Sequence, residues 1–187
     1  MVGYKFCEKF VAKAKDLDFK LIVFGEEPRP AYDRVHLSEF FENQDAKALE
    51  MAPREWYENS GIELITNTRV IAIHKLSKTI ETIDETTYEY DYLVLATGST
   101  PFVPAIKGIE KEGIFVYRTI EDLEATLAYA AKIKEGRDEV IKAAVLGGGL
   151  LGLEAAKAVK DMGFEPHVVE FAPKLMPRQL DTRGSKV

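Results

Sequence analysis

Apolar and polar positions alternate along this chain with two different periods, and the periods mark out its elements. Compact apolar runs occur at 19–27 (FKLIVFGEE), 90–99 (YDYLVLATGS) and 142–149 (KAAVLGGG), with a shorter one at 165–171 (EPHVVEF). Short continuous runs of this kind, ending in acid or in small residues, predict buried parallel strands. A helical period predicts helices over 3–15, with Tyr4, Cys7, Phe10 and Val11 on one side, and over 120–135, with Ile120, Leu123 and Leu127. A further helix is predicted at 150–162, and a short one at 53–60 between Pro53 and Gly61. Residues 62–91 alternate apolar with polar, with Asn67 and Asp84 as turn candidates, and predict a small β-meander or hairpin. Strands alternating with helices predict an α/β fold with a parallel sheet. The Pro- and Gly-rich stretch 99–113 has no period and reads as a link between two lobes.

Composition narrows the partners. A net charge of −6 and the lack of a basic run argue against nucleic acid. No apolar run approaches the roughly 18 residues of a membrane span, and no charged-then-apolar leader opens the chain, so the expected setting is cytoplasmic, away from the membrane. The single cysteine, Cys7, rules out an internal disulfide or a C-x-x-C pair. No Cys/His spacing suits a metal, so no metal ligand is expected. The three histidines are isolated, and of these His36 lies in a loop that follows a strand end.

The richest signal is Gly147-x-Gly149-x-x-Gly152. Alone it is weak. Here a strand runs into it, a helix runs out, and a second strand ends at Glu170, close to the spacing of about 20 residues that a dinucleotide fingerprint requires. Gly147 allows the tight turn, Gly149 lets the backbone approach a pyrophosphate, and Gly152 lets helix and sheet pack closely. N–H groups of the first helical turn, at Leu150 and Leu151, face the phosphates. Glu170 accepts from the two ribose hydroxyls and repels a 2′-phosphate, which favours NADH over NADPH.

The combination of YDYLVLATGSTPFVP, GGGLLGLEAAKAV and HVVE resembles the two-dinucleotide flavoprotein reductases, the FAD- and NAD(P)-dependent pyridine nucleotide-disulfide reductase superfamily. Within it, VFGEEPRPAYDRVHLSEFF and VVEFAPKLMPRQLD are similar to the N-terminal flavoprotein part of the NAD(P)H-dependent nitrite reductase branch, over essentially the whole chain. The resemblance implies two Rossmann-like dinucleotide-binding lobes, both incomplete: an FAD lobe over 1–113 carrying the inserted β-meander, then an NAD(P) lobe over 114–187. It implies FAD beside Glu26 (with Glu27 as the alternative), Arg34, Val70, Ala96, Thr97 and Gly98, and a nicotinamide pocket faced by Glu154. Related reductases carry a lysine after their Leu-Ser pair; here Leu37-Ser38 is followed by Glu39.

The implied activity is hydride transfer from NADH to FAD, with electrons passed onward to further electron-transfer domains or a subunit, in nitrate assimilation and nitrite reduction. The flavin carries the chemistry, so no catalytic side chain is expected. Sirohaem and iron–sulfur centres belong to the remainder of the parent. A ferredoxin- or rubredoxin-type reductase, an NADH oxidase and a non-catalytic NADH-binding module are the alternatives. A homodimer stays open alongside small-molecule nucleotides as partners.

The opening, Met1-Val2-Gly3 followed by a helix and a strand ending in Glu26, parallels Leu150-Leu151-Gly152 and Glu170. It reads as the last third of a second glycine motif, with Gly3 in the place of Gly152 and Met1 an internal residue of a longer protein. That reading lowers the expectation of FAD binding by this stretch alone and predicts a gap at the centre of the first sheet.

Overall fold

The computed structural model describes residues 1–14 and 17–186, with the Lys186 side chain outside the description. In chain order the elements are α1 (Val2–Lys13), β1 (Leu21–Phe24), α2 (Phe40–Asn43), α3 (Arg54–Asn59), β2 (Ile62–Ile65), β3 (Val70–His74), β4 (Thr79–Thr82) and β5 (Thr87–Glu89). There follow α4 (Ile120–Lys134), β6 (Lys142–Leu146), α5 (Leu150–Asp161) and β7 (Glu165–Val169). Two compact units emerge, residues 1–34 with 45–99 and residues 35–44 with 100–187. The α/β, Rossmann-like class expected from the sequence is the class observed. The helix expected over 3–15 spans Val2–Lys13, and Lys15 lies outside the described residues.

In the first unit β1 and β2 pair in parallel, Leu21 opposite Ile62 and Phe24 opposite Ile65. Helix α1 buries Tyr4 and Cys7 against this pair, where they join Ala52, Tyr57 and Ile62 in one apolar cluster. Tyr4 meets Trp56 edge-on at 5.1 Å. Such edge-to-face contacts add to the burial of the rings themselves. The Tyr57 hydroxyl, pushed up to about 12 chiefly by burial, stays protonated throughout the working range. Strands β3, β4 and β5 form an antiparallel meander, joined to β1 through an edge-on Phe24–Tyr88 contact at 4.8 Å. The meander is thus shorter than the alternation over 62–91 suggests. Ile62–Ile65 is not part of it but completes the parallel pair, where Ile62 is buried.

The run at 90–99 departs further from expectation. It forms no strand: residues 93–100 carry no regular structure and lie in no ladder. Val94 and Leu95 are exposed. Extended backbone becomes a strand only when its N–H and C=O groups find a neighbouring chain. Among the described residues, β1 has one strand neighbour, β2, and none on its other edge.

In the second unit β6 and β7 pair in parallel, Lys142 opposite Glu165 and Leu146 opposite Val169, with α5 as the crossover. Helix α5 packs on both strands and α2 lies against α4. Helix α4 begins at a full capping box. Thr119 Oγ1 accepts from Asp122 N–H at 3.1 Å, and the Asp122 carboxylate accepts from Thr119 N–H at 2.8 Å. Ile120 and Leu123 are fully buried behind it.

Candidate functional site

Strand β6 ends at Leu146 and the chain turns sharply into α5. Gly147 sits at φ +114°, a conformation side chains rarely adopt. Its N–H donates to Val169 O at 2.8 Å, which extends the β6–β7 ladder into the turn. Gly152 is held by sterics, since a Cβ there would collide with the Gly147 carbonyl. Gly149 differs from both. Its backbone is extended, at φ −82° and ψ −174°, so the turn itself does not demand glycine. A Cβ built on it meets no atom within 4 Å. The missing side chain therefore leaves open space in front of the first turn of α5, whose leading N–H groups have no partner within the helix.

Glu170 follows the end of β7 and turns back to this loop. Its carboxylate accepts from Gly148 N–H at 2.6 Å and from Ala172 N–H at 2.8 Å. These backbone donors, Ala172 first and then Gly148, hold its pKa below the ordinary carboxylate value. The carboxylate is thus ionised and oriented beside the glycine turn. The segment after it closes over the same turn: Met176 N–H donates to Gly148 O at 2.8 Å. A Cβ on Gly148 would lie 2.5 Å from Leu175 Cδ2. Leu150 and Leu151 flank the open space and are both exposed.

One turn into α5, Glu154 lines a cleft of about 480 Å³ together with Ser38, Glu39, Phe41, Glu42 and Lys157. Lys157 bonds Asp161 at 2.6 Å and reaches Glu42 at 4.0 Å, so carboxylates dominate the cleft wall. The sequence reading singled out Glu154 and noted Glu39, but not Phe41 or Tyr117. Tyr117 stacks on Phe41 with centroids 6.0 Å apart and planes 6° from parallel.

In the first unit, the candidates spread along loop edges. Glu26 is exposed, with Arg69 Nη1 3.6 Å from its carboxylate. Glu27 is the engaged member of the acidic pair. Its carboxylate accepts from the Tyr32 hydroxyl at 2.6 Å and pairs with Arg34, whose guanidinium also bonds Tyr32 Oη at 2.7 Å. Arg34 therefore serves to fix the loop after β1. Val70 opens β3 at an irregular register with β4. Ala96, Thr97 and Gly98 are exposed, and Gly98 has φ +70°. Gly3 lies inside α1 with an ordinary contact, 3.5 Å from a Cβ built there to Ala96 Cβ. That contact brings the opening of α1 against the small residues of the 96–98 turn. Among the described residues no group of His, Cys, Asp or Glu could hold a metal ion, and no helix is long and apolar enough to cross a membrane.

Comparison with known proteins adds a lineage to this geometry. A family model described as pyridine nucleotide-disulphide oxidoreductase matches residues 5–187. The chain is 47% identical over 186 residues to the nitrite reductase (NADH) large subunit of Escherichia coli K12, covering 100% of this chain and 21% of that one. It is 39% identical over 188 residues to a nitrite reductase [NAD(P)H] of Bacillus subtilis, covering 100% and 22%. It thus spans about a fifth of the length of these relatives. Among solved structures, a NAD-dependent persulfide reductase from A. fulgidus superposes with a TM-score of 0.84 at 26% identity, over 97% of this chain and 35% of that one. A ferredoxin reductase from Rhodopseudomonas palustris gives 0.82 at 26%, over 96% and 43%.

Proposed function

This chain belongs to the pyridine nucleotide-disulphide oxidoreductase family, and on that premise we propose that its second unit binds NADH at the Gly147–Gly152 turn. The observation that carries this reading is Gly149, a glycine the backbone does not need, which leaves open space before a helix N-terminus. A pyrophosphate fits that space because the N–H groups and dipole of α5 favour anions there. Gly147 and Gly152 hold the turn, Leu150 and Leu151 supply N–H groups, and Glu170 takes the ribose hydroxyls. An ionised carboxylate at Glu170 disfavours a 2′-phosphate, so NADH is preferred to NADPH.

The first unit supplies the FAD side, with Glu26 on the adenosine ribose, Val70 at the adenine, and Gly3, Ala96, Thr97 and Gly98 giving the nucleotide close backbone approach. Along the chain we assign residues 1–113 to the FAD lobe and 114–187 to the NAD(P)H lobe, with residues 35–44 and 100–113 clustering with the second unit. When bound, the flavin would accept hydride and release electrons singly or in pairs. This chain's own residues bind and orient. Its single cysteine, Cys7, offers no dithiol to carry the electrons, so they leave for partner domains or a subunit. The likeness to nitrite reductases supports nitrite as the final acceptor, reached through sirohaem and iron–sulfur centres outside this stretch, in an enzyme we place in the cytoplasm.

A second reading is favoured by residues 93–98, which join no sheet among the described residues: the chain binds NADH and holds no flavin by itself. A visible flavin absorbance band that NADH bleaches supports the first reading, and a colourless protein that still binds NADH supports the second. Gly149→Val tests the cradle. Its extended backbone accepts valine, so the melting temperature should hold while NADH binding is lost, measured by calorimetry. Unchanged affinity in that variant would remove the cradle assignment.

A further inference from the structure

The glycine turn ahead of α5 has a held half and an open half. Gly148 is boxed in: its N–H donates to the Glu170 carboxylate at 2.6 Å, and its carbonyl accepts from Met176 N–H at 2.8 Å. A Cβ built on it would collide with Leu175 and crowd Glu170. Both polar groups of the Gly148 backbone are thus engaged within the protein. Gly149 is the reverse: a built Cβ meets nothing within 4 Å, and its N–H has no partner among the described residues.

The peptide plane links the two halves. The Gly148–Gly149 bond is trans, and in a trans peptide the carbonyl and the following N–H point in opposite directions. By gripping the Gly148 carbonyl, Met176 fixes the direction of the Gly149 N–H, which faces away from Met176. Met176 is itself strained. Its φ is +49°, a left-handed conformation that a non-glycine residue keeps only where its surroundings hold it. Here its carbonyl accepts from Gln179 N–H at 3.0 Å and from Leu180 N–H at 2.9 Å, while the Leu175 carbonyl accepts from the Ser185 hydroxyl at 2.6 Å. The segment after Glu170 therefore holds one residue in an unfavourable backbone geometry, and in that geometry its N–H meets the glycine turn.

Building on the proposed NADH site, we infer that Met176 is a positioning residue: its backbone N–H, clamped on the Gly148 carbonyl, aims the Gly149 N–H at the anion in front of α5. Donors already fixed in direction bind an anion more tightly, because no peptide has to be ordered on contact. The clamp is a main-chain group, so the methionine side chain is dispensable to it.

The test is NMR titration of the full chain with inorganic pyrophosphate and with NADH, in three forms. These are wild type, Met176→Gly, and a protein in which the Met176 amide is replaced by an ester. The ester removes the N–H and keeps the side chain; Met176→Gly keeps the N–H and accepts φ +49° without strain. In wild type the Gly149 amide resonance should move with pyrophosphate, a measurement that stands whatever the ester does to folding. The ester should weaken pyrophosphate and NADH by the same factor, about tenfold, the scale of one hydrogen bond. Met176→Gly should bind both as wild type does. A Gly149 resonance that pyrophosphate leaves in place overturns the inference, and so does unchanged affinity in the ester. A greater loss for NADH than for pyrophosphate also overturns it, since a general loosening of the segment would disturb the Glu170 contact as well. So does a loss in Met176→Gly equal to that of the ester, which would assign the effect to the side chain. If wild type binds no NADH, the cradle assignment falls and this inference with it. If wild type binds NADH and the ester matches it, only this inference falls.

Discussion

Two stretches of this chain read almost alike and end up differently. Residues 142–149, KAAVLGGG, and residues 91–98, DYLVLATG, are each an apolar run that stops on small residues. The first contains β6 (Lys142–Leu146), laddered to β7 over the strand's whole length. The second has no ladder partner, and its valine and leucines point to solvent. Composition permits a strand in both cases. What separates them is a neighbour. Helix α5 returns the chain beside β6 within one crossover, whereas no strand among the described residues ladders with 93–98. The same contrast runs through the glycines. Gly147 and Gly152 are demanded by a turn that exists, while Gly149 leaves open space beside it. Gly98 bends an exposed segment.

The sharpest way to break this contrast is to place the same charge in both runs. Val145→Asp puts a carboxylate into the half-buried face of a paired strand. It should destabilise the second unit by about 3 kcal/mol, read as a lowered urea midpoint. Gly152→Ala forces a Cβ onto the Gly147 carbonyl and should cost about 2 kcal/mol, with NADH binding weakened because the turn must shift. A circular-dichroism melt beside a binding titration checks both effects. The acid limb comes next in size. Glu170 is held below its ordinary value of 4.5 by backbone donors. Its contribution to stability is therefore fully present above that value and is lost as pH falls below it, through the lowered folded value. Melting of the second unit from pH 6 to pH 3 should show this loss, and Glu170→Gln should flatten it. The smallest effect belongs to Val94→Asp, which alters a side chain already in solvent. Its stability change should stay within about 0.5 kcal/mol; a loss matching that of Val145→Asp would mean that 93–98 is paired in solution.

Most of the second unit was legible from local pattern, because its logic is local. Strand, Gly-x-Gly-x-x-Gly, helix, strand and terminal acid follow one another along the chain, and each residue type answers to a neighbour in sequence. The capping box at Thr119 and Asp122 was equally readable, as a Thr three residues before an acid ahead of an apolar run, but the sequence reading did not use it. Ile62–Ile65 misled because Ile-Glu-Leu-Ile alternates imperfectly and fits either a meander or a buried pair; its partnership with β1 depends on residues distant in sequence. The grouping of 35–44 with 100–187, and with it the meeting of Ser38 and Phe41 with Glu154 and the stacking of Tyr117 on Phe41, has no local signature at all. Aromatics in a loop and before a helix carry no period that would pair them. Glu26 and Glu27 were adjacent candidates for one role, and only the side-chain geometry separates the exposed carboxylate from the one held by Tyr32 and Arg34.

Cys7, the one thiol in the chain, is 2% exposed on the buried face of α1, and burial pushes its pKa up. A thiol so placed reacts with a disulfide reagent only when α1 lifts away from β1 and β2, since the thiolate is the reactive form and needs access. Its labelling rate is consequently a built-in clock for opening of the first unit. Nucleotide added to the second unit leaves that clock unchanged unless the two units exchange free energy, so the native sequence already carries the reporter needed to measure their coupling.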